Sequence, residues 1–156
     1  MESNYPELML AFRFLIRVGA GEQTAARFAG FSGVNMSVET VESRDGNDAR
    51  GVREYIPVMT HYEPVTLSKG VIADDGFMDW LLSVSPDLER GPTGKTLRQD
   101  IDVVVLNDKG KDAVIWTLKD AMPIGYQMAP LDASRSEVLM ESLTFAITGM
   151  RRTVKK

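Results

Sequence analysis

The sequence predicts a mainly β fold, an antiparallel barrel or sandwich of about six or seven strands with one flanking α-helix. Three observations carry this. Most apolar stretches alternate with period 2, turns rather than helical crossovers join them, and a single stretch has helical spacing. The chain reads as one domain over 1–156, with 1–8 as an N-terminal arm.

Met9–Val18 alternates strictly, with Leu10, Phe12, Phe14, Ile16 and Val18 on one face and Arg13 and Arg17 on the other. Two glycines within Arg27–Val34 suggest a short strand with a bulge or a close backbone approach. Asn35–Glu42 follows as another strand. Ser43–Pro57 lacks periodicity and is rich in Gly, Asp and Arg; with the residues up to Tyr62 it is taken as a long inter-strand loop over 43–62. In Pro64–Val71, Val65, Leu67, Lys69 and Val71 share one side of a strand. The period then changes to that of a helix. Phe77, Trp80, Leu81 and Val84 fall on one helical face, with Asp74 or Asp75 as the cap. So short a helix is marginal in water, so Phe77, Trp80 and Leu81 must anchor it to a sheet.

Asp100–Asn107 is a β-branched run, apolar on both faces, as expected of a strand buried on both sides. Asn107-Asp108-Lys109-Gly110 reads as a hairpin turn leading into Ala113–Lys119. Pro123, Gly125 and Pro130 are expected to break regularity before a last strand, Val138–Met150.

Composition excludes several functions. The chain has no cysteine, which removes disulfides, thiolate metal sites and cysteine nucleophiles. No apolar run approaches the roughly 20 residues of a membrane span, and MESNYPEL lacks the character of a signal peptide, so a cytoplasmic protein without stable membrane association is expected. The net charge is −4, but residues 151–156, RRTVKK, hold four of the 18 cations. That leaves 14 cations against 22 acids in residues 1–150, a net of −8, which argues against wrapping nucleic acid. The basic tail at 151–156 reads as a solvated end.

No active site emerges. Gly91–Thr96, GPTGKT, resembles the end of a phosphate-binding loop, but Glu89 stands where its first glycine belongs and a helix precedes it instead of following. Gly30-Phe31-Ser32-Gly33 has Val34 in place of the second glycine of a nucleophile elbow. His61 is the only histidine, and Asp74/Asp75 and Asp100/Asp102 have no further ligands at metal spacing. No enzyme activity, cofactor or metal is expected.

Several stretches together resemble the tail tube proteins of contractile phages and related injection systems. They are FRFLIRV at Phe12–Val18, FAGFSGV at Phe28–Val34, PVTLSKGV at Pro64–Val71, FMDWL at Phe77–Leu81, WTLKDAMP at Trp116–Pro123 and EVLMESLTFAITG at Glu137–Gly149. The strand ending in Lys-Gly before Phe-x-x-Trp, and the late Glu-x-x-x-Glu-Ser strand, are the more specific of them.

The resemblance implies a subunit that closes into hexameric rings, which stack as an inner tube. Implied partners are a surrounding sheath, a baseplate and spike, a tube terminator, and DNA or a protein effector as cargo. It also implies assembly in the bacterial cytoplasm into a virion or injection particle. Within that frame Ser142, Thr144 and Thr148, small and uncharged, are lumen candidates. Glu141, on the opposite apolar face, needs a partner, and an arginine of a neighbouring subunit is expected to supply it. Arg44, Asp45, Asp48, Arg50, Arg53, Glu54 and Tyr55 are expected to clasp the next ring, both signs of charge suiting a head-to-tail contact. A tube initiator or terminator cap of the same fold, or a monomeric β-barrel that binds a ligand, are the alternatives.

Overall fold

The computed structural model describes residues 14–19, 28–43, 46, 51, 53–70, 76–84 and 98–155, the side chain of Phe77 excepted. Nine strands and one helix lie among them. They are β1 (Phe14–Val18), β2 (Gly30–Phe31), β3 (Met36–Ser43), β4 (Glu54–Tyr62), β5 (Val65–Gly70), α1 (Gly76–Val84), β6 (Gln99–Leu106), β7 (Asp112–Met128), β8 (Met140–Ala146) and β9 (Gly149–Val154).

Seven strands form one antiparallel sheet, six of them in the order β1-β6-β7-β8-β5-β2 and β9 beside β7, while β3 and β4 pair apart from it. β7 makes this path a sandwich. Its first half pairs with β6 and β9, its second half with β8, so one strand serves two layers. The passage between layers is marked by Asp120, whose φ of 49° lies in the left-handed region that aspartate tolerates better than most residues. Asp100 Oδ1 accepts the Asp120 N–H at 3.0 Å and Thr148 Oγ1 donates to Asp120 Oδ2 at 3.0 Å, which fixes the bend.

The core fills the space between the layers. Ile16, Ile101, Val103 and Leu118 come from one, Val65, Leu67, Leu143 and Phe145 from the other, and Trp80 of α1 joins them. The Trp80 and Phe145 rings lie 5.3 Å apart and tilted. Asn107–Gly110 forms the expected turn: Asn107 Oδ1 accepts the N–H groups of Lys109 and Lys111, and Gly110 takes φ 73°.

The sandwich alternative of the predicted fold class is the one that forms; among the described residues the sheet path has two ends and does not close. Three element boundaries differ from expectation. Glu54–Tyr62, read as part of a loop, is β4, in register with β3. β7 continues through Pro123 and Gly125: among the described residues its second half pairs on one side, with β8, and such an edge tolerates a residue without an N–H. The single strand expected at Val138–Met150 is two, β8 and β9, and Arg151–Val154 belongs to β9 rather than to a solvated tail. Asp74, Asp75 and the GPTGKT stretch lie outside the described residues, as does 1–8.

Candidate assembly surfaces

The outward face of the second layer is small and polar at its centre, with Met140 and Met122 toward its ends. Ser68 of β5 pairs with Ser142 of β8 and Thr66 with Thr144, and the paired hydroxyls lie 3.1 Å and 3.3 Å apart. Paired residues in a sheet share a face, so Gly30, opposite Ser68, and Gly125 and Gln127, opposite Thr144 and Ser142, extend the row across four strands. The glycines keep it thin: a Cβ on Gly125 would come within 3.4 Å of Thr144 Cβ. No charge stands in this row. Thr148 is separate, in the link between β8 and β9 with its hydroxyl on Asp120.

The opposite face contains a feature the sequence analysis assigned to a neighbour. Glu141 Oε1 lies 3.3 Å from Lys69 Nζ of the same chain, with the two side chains 12% and 3% exposed. The strands set this contact, since Lys69 and Glu141 are register partners. Tyr126 donates to Glu141 Oε2 at 3.2 Å, and the Lys69 ammonium also lies 6.0 Å from the Phe28 ring centre. Partial desolvation, and then the carboxylate it donates to, raise the Tyr126 pKa. Within the chain, Lys69 already supplies a partner for Glu141. Both charges stood at apolar positions of their strands, and that was the available signal.

β3 and β4 form an arm that buries almost nothing. Met36, Val38, Val41, Tyr55, Ile56, Val58 and Met59 are each at least 46% exposed, on both faces of the ribbon. Arg53 reaches Glu42 at 3.1 Å and His61 approaches Glu39 at 3.2 Å, both at the surface. Of the clasp candidates, Glu54 and Tyr55 begin β4 and Arg53 precedes it; Arg44, Asp45, Asp48 and Arg50 lie outside the described residues. Of the helix anchors, Trp80 is buried and Leu81 packs against the core; the Phe77 side chain lies outside the described residues.

Among the described residues no group of His, Cys, Asp or Glu is placed to hold a metal ion, and no helix is long and apolar enough to cross a membrane. Ser32 is spent on structure, its hydroxyl accepting the Thr66 N–H at 2.9 Å. A sandwich with an uncharged hydroxyl face and a projecting apolar arm defines a structural subunit made for assembly. A family model described as the T4-like virus tail tube protein gp19 matches residues 10–151, and the chain belongs to that family. It is a tail tube protein by family, a structural protein of a tail.

Solved structures agree on the fold. A chain in the anti-feeding prophage (AFP) tube terminating cap superposes with TM-score 0.77 at 22% identity, covering 99% of this chain and 95% of that one. A chain in the sheath-tube complex of an extracellular contractile injection system, PVC, gives 0.76 at 23% identity, covering 97% and 94%. A type six secretion system protein gives 0.55 at 12% identity, covering 91% and 83%. No curated protein matches.

Proposed function

We propose that six copies close into a ring, that rings stack into the inner tube, and that the Ser142/Thr144 face lines the lumen. The observation that carries this is the uncharged row, with hydroxyls on β5 and β8, which crosses a layer whose two outer strands, β2 and the second half of β7, are edges among the described residues. Joining the β7 edge of one copy to the β2 edge of the next makes the lumen wall continuous and removes both exposed edges. The number six follows the 6-fold symmetrised AFP baseplate and the gene transfer agent tail of C6 symmetry, whose chains share the fold. A sheath around the tube, a baseplate beneath it, a terminator above, and DNA or a protein effector inside complete the particle, which assembles in the bacterial cytoplasm. The arm, with Arg53, Glu54 and Tyr55 and the residues between its strands, clasps the next ring.

Negative-stain images of the purified protein test the proposal. Hollow rods with six-fold end views are expected; a protein that stays monomeric at high concentration sinks it and favours the ligand-binding alternative. The cap reading is kept by the similarity to the AFP cap structure, with TM-score 0.77 against 0.76 for the PVC tube complex. Single rings that bind tube ends without growing would select it.

A further inference from the structure

We infer that an apolar groove between the two layers binds a medium-chain alkyl carboxylate, with the chain in the groove and the carboxylate on Arg152. The site needs no contact between copies and is separate from the hydroxyl face, so it stands or falls apart from the tube reading. The groove runs beside β2 with a volume of about 620 Å³, inside the roughly 300–1,000 Å³ range of small-molecule sites. Phe31 and Val34 close one side, and Phe14, Val105, Trp116 and Met150 form the other. None of the side chains that line it is charged. These six are only partly buried, so an occupant would cover apolar surface that the fold leaves in water. Gly33 helps to keep the slot open, since a Cβ there would meet nothing within 4 Å.

One position gives the groove a polarity. Ile16, Val103, Trp116 and Arg152 are register partners in turn across β1, β6, β7 and β9, so the four share the face that β1 and β6 turn to the core. The row begins buried and ends in a cation. Arg152 is exposed and lies 5.9 Å over the ring of Trp116, which lines the groove. Stacking uses the flat face of a guanidinium and leaves its edge N–H groups to hold a carboxylate in a two-pronged bond. Among the described residues no carboxylate lies within ion-pair distance of Arg152. An apolar slot with a single cation at its mouth is complementary to one flexible chain that ends in an anion. A neutral chain would leave the guanidinium unused, and a cationic one would be repelled.

Decanoate is the probe, used below its micelle concentration. Trp116 is one of two tryptophans, so Trp80→Phe, checked for folding by circular dichroism, leaves it as the one tryptophan reporter, beside the groove. Decanoate should change its emission saturably. In the methyl NMR spectrum of the parent protein the Met150 and Val105 signals should shift, while methyl signals remote from the groove stay in place. Arg152→Gln, at an exposed side chain, should weaken decanoate several-fold and leave the affinity for decanol unchanged. Emission that never saturates, or methyl shifts that miss Met150 and Val105, overturns the site. Decanoate held equally by Arg152→Gln and the parent overturns the head-group contact and the proposal with it.

Discussion

Lys69 and Glu141 are the least expected residues of the chain, two opposite charges on the apolar faces of neighbouring central strands. Burying a charge costs several kcal/mol unless it is paired, and here register, not a neighbour, brings the partner. Lys69→Met should destabilise the fold by about 3–5 kcal/mol, the usual cost of orphaning one half of a buried pair, whereas Lys69→Met with Glu141→Leu should recover most of it. Urea unfolding of both variants measures this. A single variant as stable as the parent would show that the pair is not buried as described. Arg17 and Asp112 are a more exposed case, with a bidentate bond at 2.7 and 3.0 Å. The Arg17 guanidinium holds the Asp112 carboxyl below its usual range. A depressed carboxylate stabilises above its unfolded pKa of about 3.9 and loses that contribution as pH falls through the folded value. Asp112→Asn should therefore lower Tm at neutral pH by an amount worth no more than about 1 kcal/mol, for a partly exposed pair. The difference should vanish in strong acid; a gap that persists there rules out the ion pair as its cause.

At the scale of elements, the sequence was legible wherever one face is buried. Period-2 alternation found β5 and the β1 stretch, the β-branched run found β6, and the i, i+3, i+4, i+7 spacing found α1. Trp80 shows why the helix pattern held: its ring packs on Phe145 of β8. Trp80→Ala should cost about 3–5 kcal/mol, a large part of the roughly 5–15 kcal/mol such a domain has. An unchanged melting temperature refutes the anchor. Where burial is absent, the pattern is absent too. β4 was read as loop because both faces of the arm are exposed and its register shifts near Val58, between the Glu39 and Thr40 pairs, so no alternation survives. The division of β8 from β9 was hidden because Ile147 continues the apolar alternation through the change of layer. Since the arm adds little to the core, replacing Val38–Thr60 by a short Gly/Ser link should leave the sandwich's melting temperature nearly unchanged. Assembly into rods should be lost. Calorimetry and negative-stain images check the two halves; normal rods from the shortened chain would refute the clasp.

At the scale of the whole molecule the question is which face of the subunit looks inward. The layer built from β2, β5, β8 and the second half of β7 has an apolar side committed to the core, so its hydroxyl side is what it presents outward from the subunit. In a ring closed through the β2 and β7 edges, that side becomes the wall of a channel. Thr144 sits in the middle of it, beside Gly125, whose missing side chain leaves room for a longer residue. Thr144→Lys should thus be accepted without disturbing the core and would place one positive charge per subunit in the lumen. Cargo sliding past an uncharged wall meets no electrostatic trap; an anionic cargo passing rings of lysine is held at each ring. Delivery of such a cargo should fall while the tubes look normal, and Thr144→Ser should deliver as the parent does. The assignment of faces has a direct check in assembled tubes of Thr144→Cys. A small maleimide should label them fully, and one coupled to a protein too wide for the lumen should not. Equal labelling by both would put Thr144 on the outside of the tube and overturn the lumen assignment.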